Sequence, residues 1–312
     1  MALTKTASTT VKSKRRRSRQ PLWLIYGFMF PAVALALIFD YYPAFSGLYL
    51  SMTNTLEVGI KAQWVGLANY QSLFVNNPAF IDSIWHMAVL AVAAVIIGTT
   101  VPLIVAEMIF HLGSNRWRYA YRIVFLLKML IPGMVIVEVW GYILGVNGVL
   151  DQVVKFLGLP GGDIAWLVDQ HTALAAIVFI GFPWVAGIAI LIYYAGLASI
   201  DPEILDAASV DGSQGIHRVL HVDVPLVTGQ VKLIVILSAI GGFQGYFAQF
   251  LLTQGGPGWS TQVPGYFMYL NAFKYGEMGL ASAIGVFLFV IILALTLINM
   301  KFIRSSQDYQ AQ

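Results

Sequence analysis

Six apolar stretches of membrane-spanning length constrain this chain more than any other feature. They run approximately over Leu22–Phe45, Ile84–Ile109, Arg122–Gly145, Thr172–Ala195, Val231–Leu252 and Met278–Phe302. About 20 helical residues cross ~30 Å of hydrocarbon, and a backbone in lipid must satisfy its own hydrogen bonds. The sequence therefore predicts an all-α membrane protein with six transmembrane helices. Composition agrees, with 58% hydrophobic and 11% charged residues, against about 25% charged in a soluble domain. Cysteine is absent, which excludes disulfides, thiolate catalysis and cysteine-bound metals. The net charge of +3 comes from the ends and short loops. Without a basic stripe carrying aromatics, nucleic acid is not an expected partner.

An even number of spans puts both termini on one side, and lysine and arginine indicate which side. Seven lie in the N-terminal tail, and Arg116, Arg118, Arg122, Arg218, Lys232, Lys301 and Arg304 fall on the same face. Lys61, Lys155 and Lys274 fall on the other, while Lys128 sits inside the third span. Fourteen against three makes the tail side cytoplasmic. Ala34-Leu35-Ala36 looks like a signal cleavage site, but the apolar run continues past it and is too long for a signal core. The expected organisation is a basic cytoplasmic tail (1–21), a first transmembrane helix (22–46), an outer loop (47–83), a five-helix core (84–303) and a cytoplasmic tail (304–312). Glu107, near the inner boundary, is expected to reach water, and Lys128 to extend its ammonium toward the interface.

Between the fourth and fifth spans lies the cytoplasmic segment Asp201–Pro225, DPEILDAASVDGSQGIHRVLHVDVP. Asp201 is a good N-cap, Pro202 suits the first turn, and Glu203 faces the positive helix end. Ile204, Leu205 and Ala208 share a face by spacing, Gly212 ends or bends the helix, and Ile216, Val219 and Leu220 mark a second helix before Pro225. A short helix–turn–helix along the inner face is predicted. By physics alone it is either an amphipathic loop resting on headgroups or a docking element for another protein.

The spacing favours docking. Asp206-Ala207-Ala208, Gly212 three residues on, and Val222-x-Val224-Pro225 after nine more resemble the EAA motif of ABC-importer permeases, Glu-Ala-Ala, three residues, Gly, nine residues, Ile-x-Leu-Pro. Asp206 replaces the glutamate, and Val222 and Val224 replace isoleucine and leucine. Trp64-Val65-Gly66-Leu67-Ala68-Asn69-Tyr70 is similar to the family's first outer-loop signature. Thr253-Gln254-Gly255-Gly256-Pro257 with Ser260-Thr261, Ala272-Phe273 and Gly279–Ala283 are similar to its carbohydrate-uptake branch, typified by maltose and glycerol-3-phosphate permeases. His86-Met87 departs from the Asn-Thr pair common there.

The resemblance implies a type I ABC-importer permease fold in a bacterial cytoplasmic membrane. It implies a second permease as heterodimer partner, two ATPase subunits and an extracytoplasmic solute-binding protein. Glu203, Asp206, Ala207, Ala208, Asp211, Gly212, Ile216 and Pro225 would then form the ATPase-coupling surface. The chain contains no Gly-Lys pair and hence no phosphate loop, so ATP and magnesium belong to a partner, and the chain is a transport subunit without catalytic residues or a bound cofactor. His217 and His221 are four apart, but Arg218 stands where a metalloprotease glutamate would be, so no metal is expected.

Sugars are held by amide hydrogen bonds and aromatic stacking. Trp184, Gln244, Tyr246 and Gln249 are therefore substrate-pathway candidates; Glu138, a costly charge inside the third span, is either another or a structural pair with a neighbouring helix or the second permease. Ordinary helix packing, with Gly241 and Gly245 at GxxxG spacing, is the competing reading for the fifth span. An ion-driven secondary transporter would show relays of intramembrane acids, and Glu138 alone qualifies. A phosphorylated solute such as glycerol-3-phosphate calls for arginines in spans four to six, which are absent. A non-transporting scaffold would not copurify with an ATPase.

Overall fold

The computed structural model describes residues 22–56, 62–159 and 164–302; the two expected tails lie outside them. The chain divides into two units, Met1–Ser46 and Gly47–Gln312. The first holds α1 (Leu22–Ala36), which passes through a π-helical turn at Leu37–Tyr41 into α2 (Tyr42–Leu50). Apolar residues dominate here, with Asp40 the one charged side chain, and the side chains described from Trp23 onward are mostly exposed. That is the surface expected of a helix bathed in lipid.

The larger unit is built on α4 (Pro78–Phe110), preceded by the short α3 (Ala68–Val75). Asn77 caps α4 by accepting from Phe80 N at 3.1 Å, with Pro78 in the first turn. Its 33 residues extend about 50 Å. At one end Phe80 and Met87 pack with Leu73, Val263, Tyr266, Ile284 and Leu288; at the other Ala106 and Ile109 pack with Ile190, Tyr193, Leu197, Val227 and Ile234. A Cβ on Gly242 would lie 2.7 Å from Ala91 Cα, and one on Gly98 2.5 Å from Ser238 Oγ. The small-residue approach of the fifth span to α4 thus runs through Gly242, whereas Gly241 meets nothing and Gly245 faces the carbonyl of Gly241.

Among the described residues, five helical stretches are long and apolar enough to cross a membrane: Tyr26–Leu50, Pro78–Phe110, Gly133–Phe156, Thr228–Thr253 and Met278–Lys301. Gly187–Ala198 and Pro202–Val210 form a pair bent by 75° that makes six if counted as one. Three expected spans need correction. The third is interrupted between α5 (Asn115–Leu127) and α6 (Gly133–Leu144), because Pro132 has no N–H and holds Ile131 extended. α7 (Val149–Phe156) then lies where an outer loop was expected. The fourth is split into α8 (Ala173–Phe179) and α9 (Gly187–Ala198) around Phe182-Pro183.

The two breaks meet. Lys128 donates to the Gly181 carbonyl at 3.3 Å, and a Cβ on Gly187 would lie 2.6 Å from Phe125 O. Lys128 thus serves a carbonyl freed by an interrupted helix rather than reaching for the interface. α10 (Pro202–Val210), α11 (Gly215–Arg218) and α12 (Val224–Leu226) follow, the last two linked by a π turn at Val219–Asp223. The fifth span, α13 (Thr228–Gln244), breaks at Gly245-Tyr246 before a π turn at Gln249–Thr253. The stretch expected as an outer loop after it folds into α14 (Pro264–Tyr269) and a π turn at Leu270–Lys274, buried against α15 (Met278–Phe302).

Candidate functional site

The 201–225 element begins with Asp201 accepting from Glu203 N at 3.0 Å, with Pro202 in the first turn of α10. It ends in a two-bond C-cap: Gly212 N donates to Ser209 O at 3.2 Å and Ser213 N to Ala208 O at 2.9 Å. This Schellman pattern needs a left-handed residue after the cap, and Gly212 has φ +77°. Glycine is therefore required here by backbone conformation, since a Cβ would meet no neighbour.

Most of the element faces outward. Glu203, Asp206, Ala207, Asp211, Gly212, Ile216 and Pro225 are exposed, and Ala208 is half-buried. Leu205 shares that inward side, whereas Ile204 turns out with Val210, Ile216 and Leu220. Val210 is 86% and Ile216 77% exposed. His217 and His221 stack with ring centroids 4.3 Å apart; Ser213 Oγ lies 3.2 Å from His217 Nδ1, and His221 Nδ1 3.0 Å from His217 O.

Beneath the element lies a cluster that sequence reasoning missed. Glu107 is 6% exposed, not in water as expected, and Asp223 is fully buried. His111, at the end of α4, stands between their carboxylates, and Arg218 lies 3.4 Å from Asp223. The i,i+4 spacing of Glu107 and His111 was a visible signal; Asp223 comes from more than a hundred residues further along.

Where α4, the α8–α9 break and the α13 break meet, a cavity of about 330 Å³ opens. Trp184, Tyr246 and Gln249 line it with Ala93, Ala94 and Gly242. Trp184 has φ +55°, and its indole donates to Val178 O at 3.0 Å, aligning the ring beside Phe179 and Phe182. Gln249 is 2% exposed. Of the five pathway candidates, Glu138 and Gln244 fall elsewhere: both are exposed, on α6 and at the end of α13, and neither lines the cavity.

The family-like outer motifs have structural duties. Asn69 donates to Ser51 O at 2.8 Å and Thr53 O at 2.9 Å, Tyr70 OH lies 2.9 Å from Ser51 Oγ, and Thr53 pairs with Trp64 in an antiparallel bridge. Thr261 Oγ1 donates to Gly256 O at 2.8 Å and lies 2.7 Å from Thr253 Oγ1, closing the Gly255–Gly258 turn. His86 Nδ1 lies 3.0 Å from Gln262 O, so it must donate, and Met87 enters the core. The unusual His86-Met87 pair thus ties the second span to the buried segment around Gln262. Burial, with Tyr269 and Tyr275 nearby, pushes the Tyr266 phenol above its ordinary range.

Comparison with known proteins places this geometry. The model for "binding-protein-dependent transport system inner membrane component" matches residues 98–305. The probable ABC transporter permease protein YurN of Bacillus subtilis (strain 168) is 30% identical, covering 91% of this chain and 97% of its own. The arabinooligosaccharides transport system permease protein AraP of the same organism is 28% identical, covering 88% and 87%. A chain of a crystallised bacterial ABC transporter involved in importing the acidic polysaccharide alginate has the same fold, with a TM-score of 0.75 at 22% identity, covering 89% and 93%. A mostly helical, multi-pass chain with these matches over most of its length belongs to the binding-protein-dependent transport system inner membrane components, the permease subunits of ABC transporters.

Proposed function

We propose that this permease carries a carbohydrate, and that the Asp201–Pro225 element is its docking surface for an ATPase. In this reading six spans cross a bacterial cytoplasmic membrane with both termini inside. A second permease completes the pathway, two ATPase subunits bind and hydrolyse ATP with magnesium, and a solute-binding protein delivers the sugar. ATP-driven closure of the ATPase pair displaces the element and reorients the spans.

The observation that carries this reading is the element itself: a helix capped at both ends and a short second helix, presenting Val210, Ile216 and Leu220 outward. A loop in water alone gains nothing by exposing such side chains, and apolar anchors in a rigid frame are what a partner's groove binds. Gly212→Asp places a Cβ at a left-handed position and a charge on this face. Uptake of labelled oligosaccharide by the assembled transporter is expected to fall by tenfold or more, on the order of a lost buried contact, while the variant still reaches the membrane fraction. Wild-type uptake by that variant would refute the docking role.

The cavity favours a neutral solute. Trp184 offers a ring face and Gln249 an amide, and no lysine or arginine lines it. Glycerol-3-phosphate would meet no cation there. Screening the companion binding protein against sugars and sugar phosphates separates the two. Uptake that requires ATP and survives collapse of the proton gradient distinguishes this transporter from an ion-driven one.

A further inference from the structure

Four polar side chains meet where the 201–225 element joins the helix ending at Phe110. Asp223 has no exposed surface. Its carboxylate lies 3.4 Å from Arg218 Nε on the same element and 4.0 Å from His111 Nε2 at the end of α4. Glu107, one turn back along α4, has Oε2 3.5 Å from His111 Nδ1. The same nitrogen lies 3.0 Å from the Glu107 main-chain oxygen. Both neighbours accept, so that nitrogen carries a proton.

Neither carboxylate oxygen of Glu107, nor Asp223 Oδ2, has a hydrogen bond. Two buried carboxylates this close repel, and the side chains that offset the repulsion are His111, between them, and Arg218, beside Asp223. Arg218 Nε donates to Asp223 Oδ1 at 3.4 Å within the element, but the contact between the two elements, Asp223 to His111 at 4.0 Å, is longer than a hydrogen bond. A hydrogen bond fails beyond about 3.5 Å, whereas Coulomb attraction falls only as the inverse of distance. A contact of this kind keeps its hold while two elements slide by an ångström or two. Asp201, Ser213 and His221 make their hydrogen bonds within the element; Asp223 does so too, with Arg218, but also approaches His111 on α4.

We propose that Glu107, His111, Arg218 and Asp223 form a charged joint that carries displacement of the 201–225 element into α4. The joint rests on the reading of that element as an ATPase dock. Ala93 and Ala94, which line the cavity, lie on the same continuous helix, about 20 Å from Glu107 at 1.5 Å per residue. Motion delivered at the joint therefore reaches the cavity wall along one helix, with Pro102 standing between the two. These four are positioning residues; none lines the cavity.

The absence of native cysteine makes the test direct. In the assembled transporter, Ile216→Cys reports docking by cross-linking to the ATPase, and Ala93→Cys reports the cavity by its maleimide labelling rate with and without ATP and vanadate. Without further change, ATP is expected to shift the Ala93→Cys rate about tenfold, within the usual range of coupling between sites. In Asp223→Asn, and separately in Glu107→Gln, that shift is expected to drop below about twofold while the Ile216→Cys cross-link persists. A full ATP response in both variants would overturn the joint, as would loss of the cross-link together with the response, which marks a merely structural role. Absence of a cross-link in the otherwise unaltered chain would refute the docking reading itself. One-to-one binding of Zn²⁺ or Mn²⁺, abolished by Asp223→Asn, would replace the joint with a metal site.

Discussion

Gly279 shows how tightly single residues are bound to their surroundings. A Cβ there would lie 2.0 Å from Thr53 O, the carbonyl to which Asn69 also donates, while Gly279 N bonds Thr55 O at 3.1 Å. Gly279→Ala must therefore move the Thr53 backbone, at a cost of about 1–3 kcal/mol. The purified protein is expected to unfold several degrees earlier in a detergent thermal scan. Gly241→Ala, where a Cβ meets nothing and the backbone is already helical, is the control and should leave the midpoint unchanged or raise it slightly. The sequence marked the Trp64–Tyr70 and Gly279–Ala283 motifs but not why they occur together. Their contact spans more than two hundred residues, and no local pattern carries it. His86 is a similar case, readable as a departure from the family pattern but explained only by the Gln262 carbonyl it meets.

At the scale of elements, α10 is a nine-residue helix with an exposed face, too short to hold its shape by propensity alone. Its caps matter accordingly. Asp201→Ala removes the side chain that accepts from Glu203 N and should cost about 1 kcal/mol of local stability. Amide exchange over residues 203–206 is expected to quicken about fivefold, the same free energy expressed as a rate, with the spans unaffected; unchanged exchange would show that docking contacts, not the cap, order the helix. The start and stop of α10 were legible because capping depends on adjacent residues. The third span was misread for the opposite reason: hydropathy ran smoothly through Lys128–Pro132 although Pro132 breaks the helix. The 263–274 stretch looked like a loop because Gly255–Gly258 breaks the chain before it, yet its Val263 and Tyr266 belong to the buried core.

For the whole molecule, two interrupted helices and the continuous α4 surround one cavity, and this sets the transport prediction. Trp184→Ala and Gln249→Ala should each lower uptake about three- to tenfold, the worth of a stacking contact or a hydrogen bond. Glu138→Gln and Gln244→Ala, outside the lining, should leave uptake near the unaltered level; the reverse pattern would place the pathway elsewhere. From consecutive residues alone came the helical membrane class, the charge asymmetry behind the expected orientation, the capped 201–225 element and the glycine it needs. Each depends on local hydropathy, charge or backbone conformation, properties a short window contains. The tertiary structure alone decided which interrupted helices meet, which pathway candidates share a cavity and which ionisable side chains lie beneath the 201–225 element. Those contacts depend on how helices far apart in the chain pack against α4, and the shape of a packed interface is not a property of any one stretch.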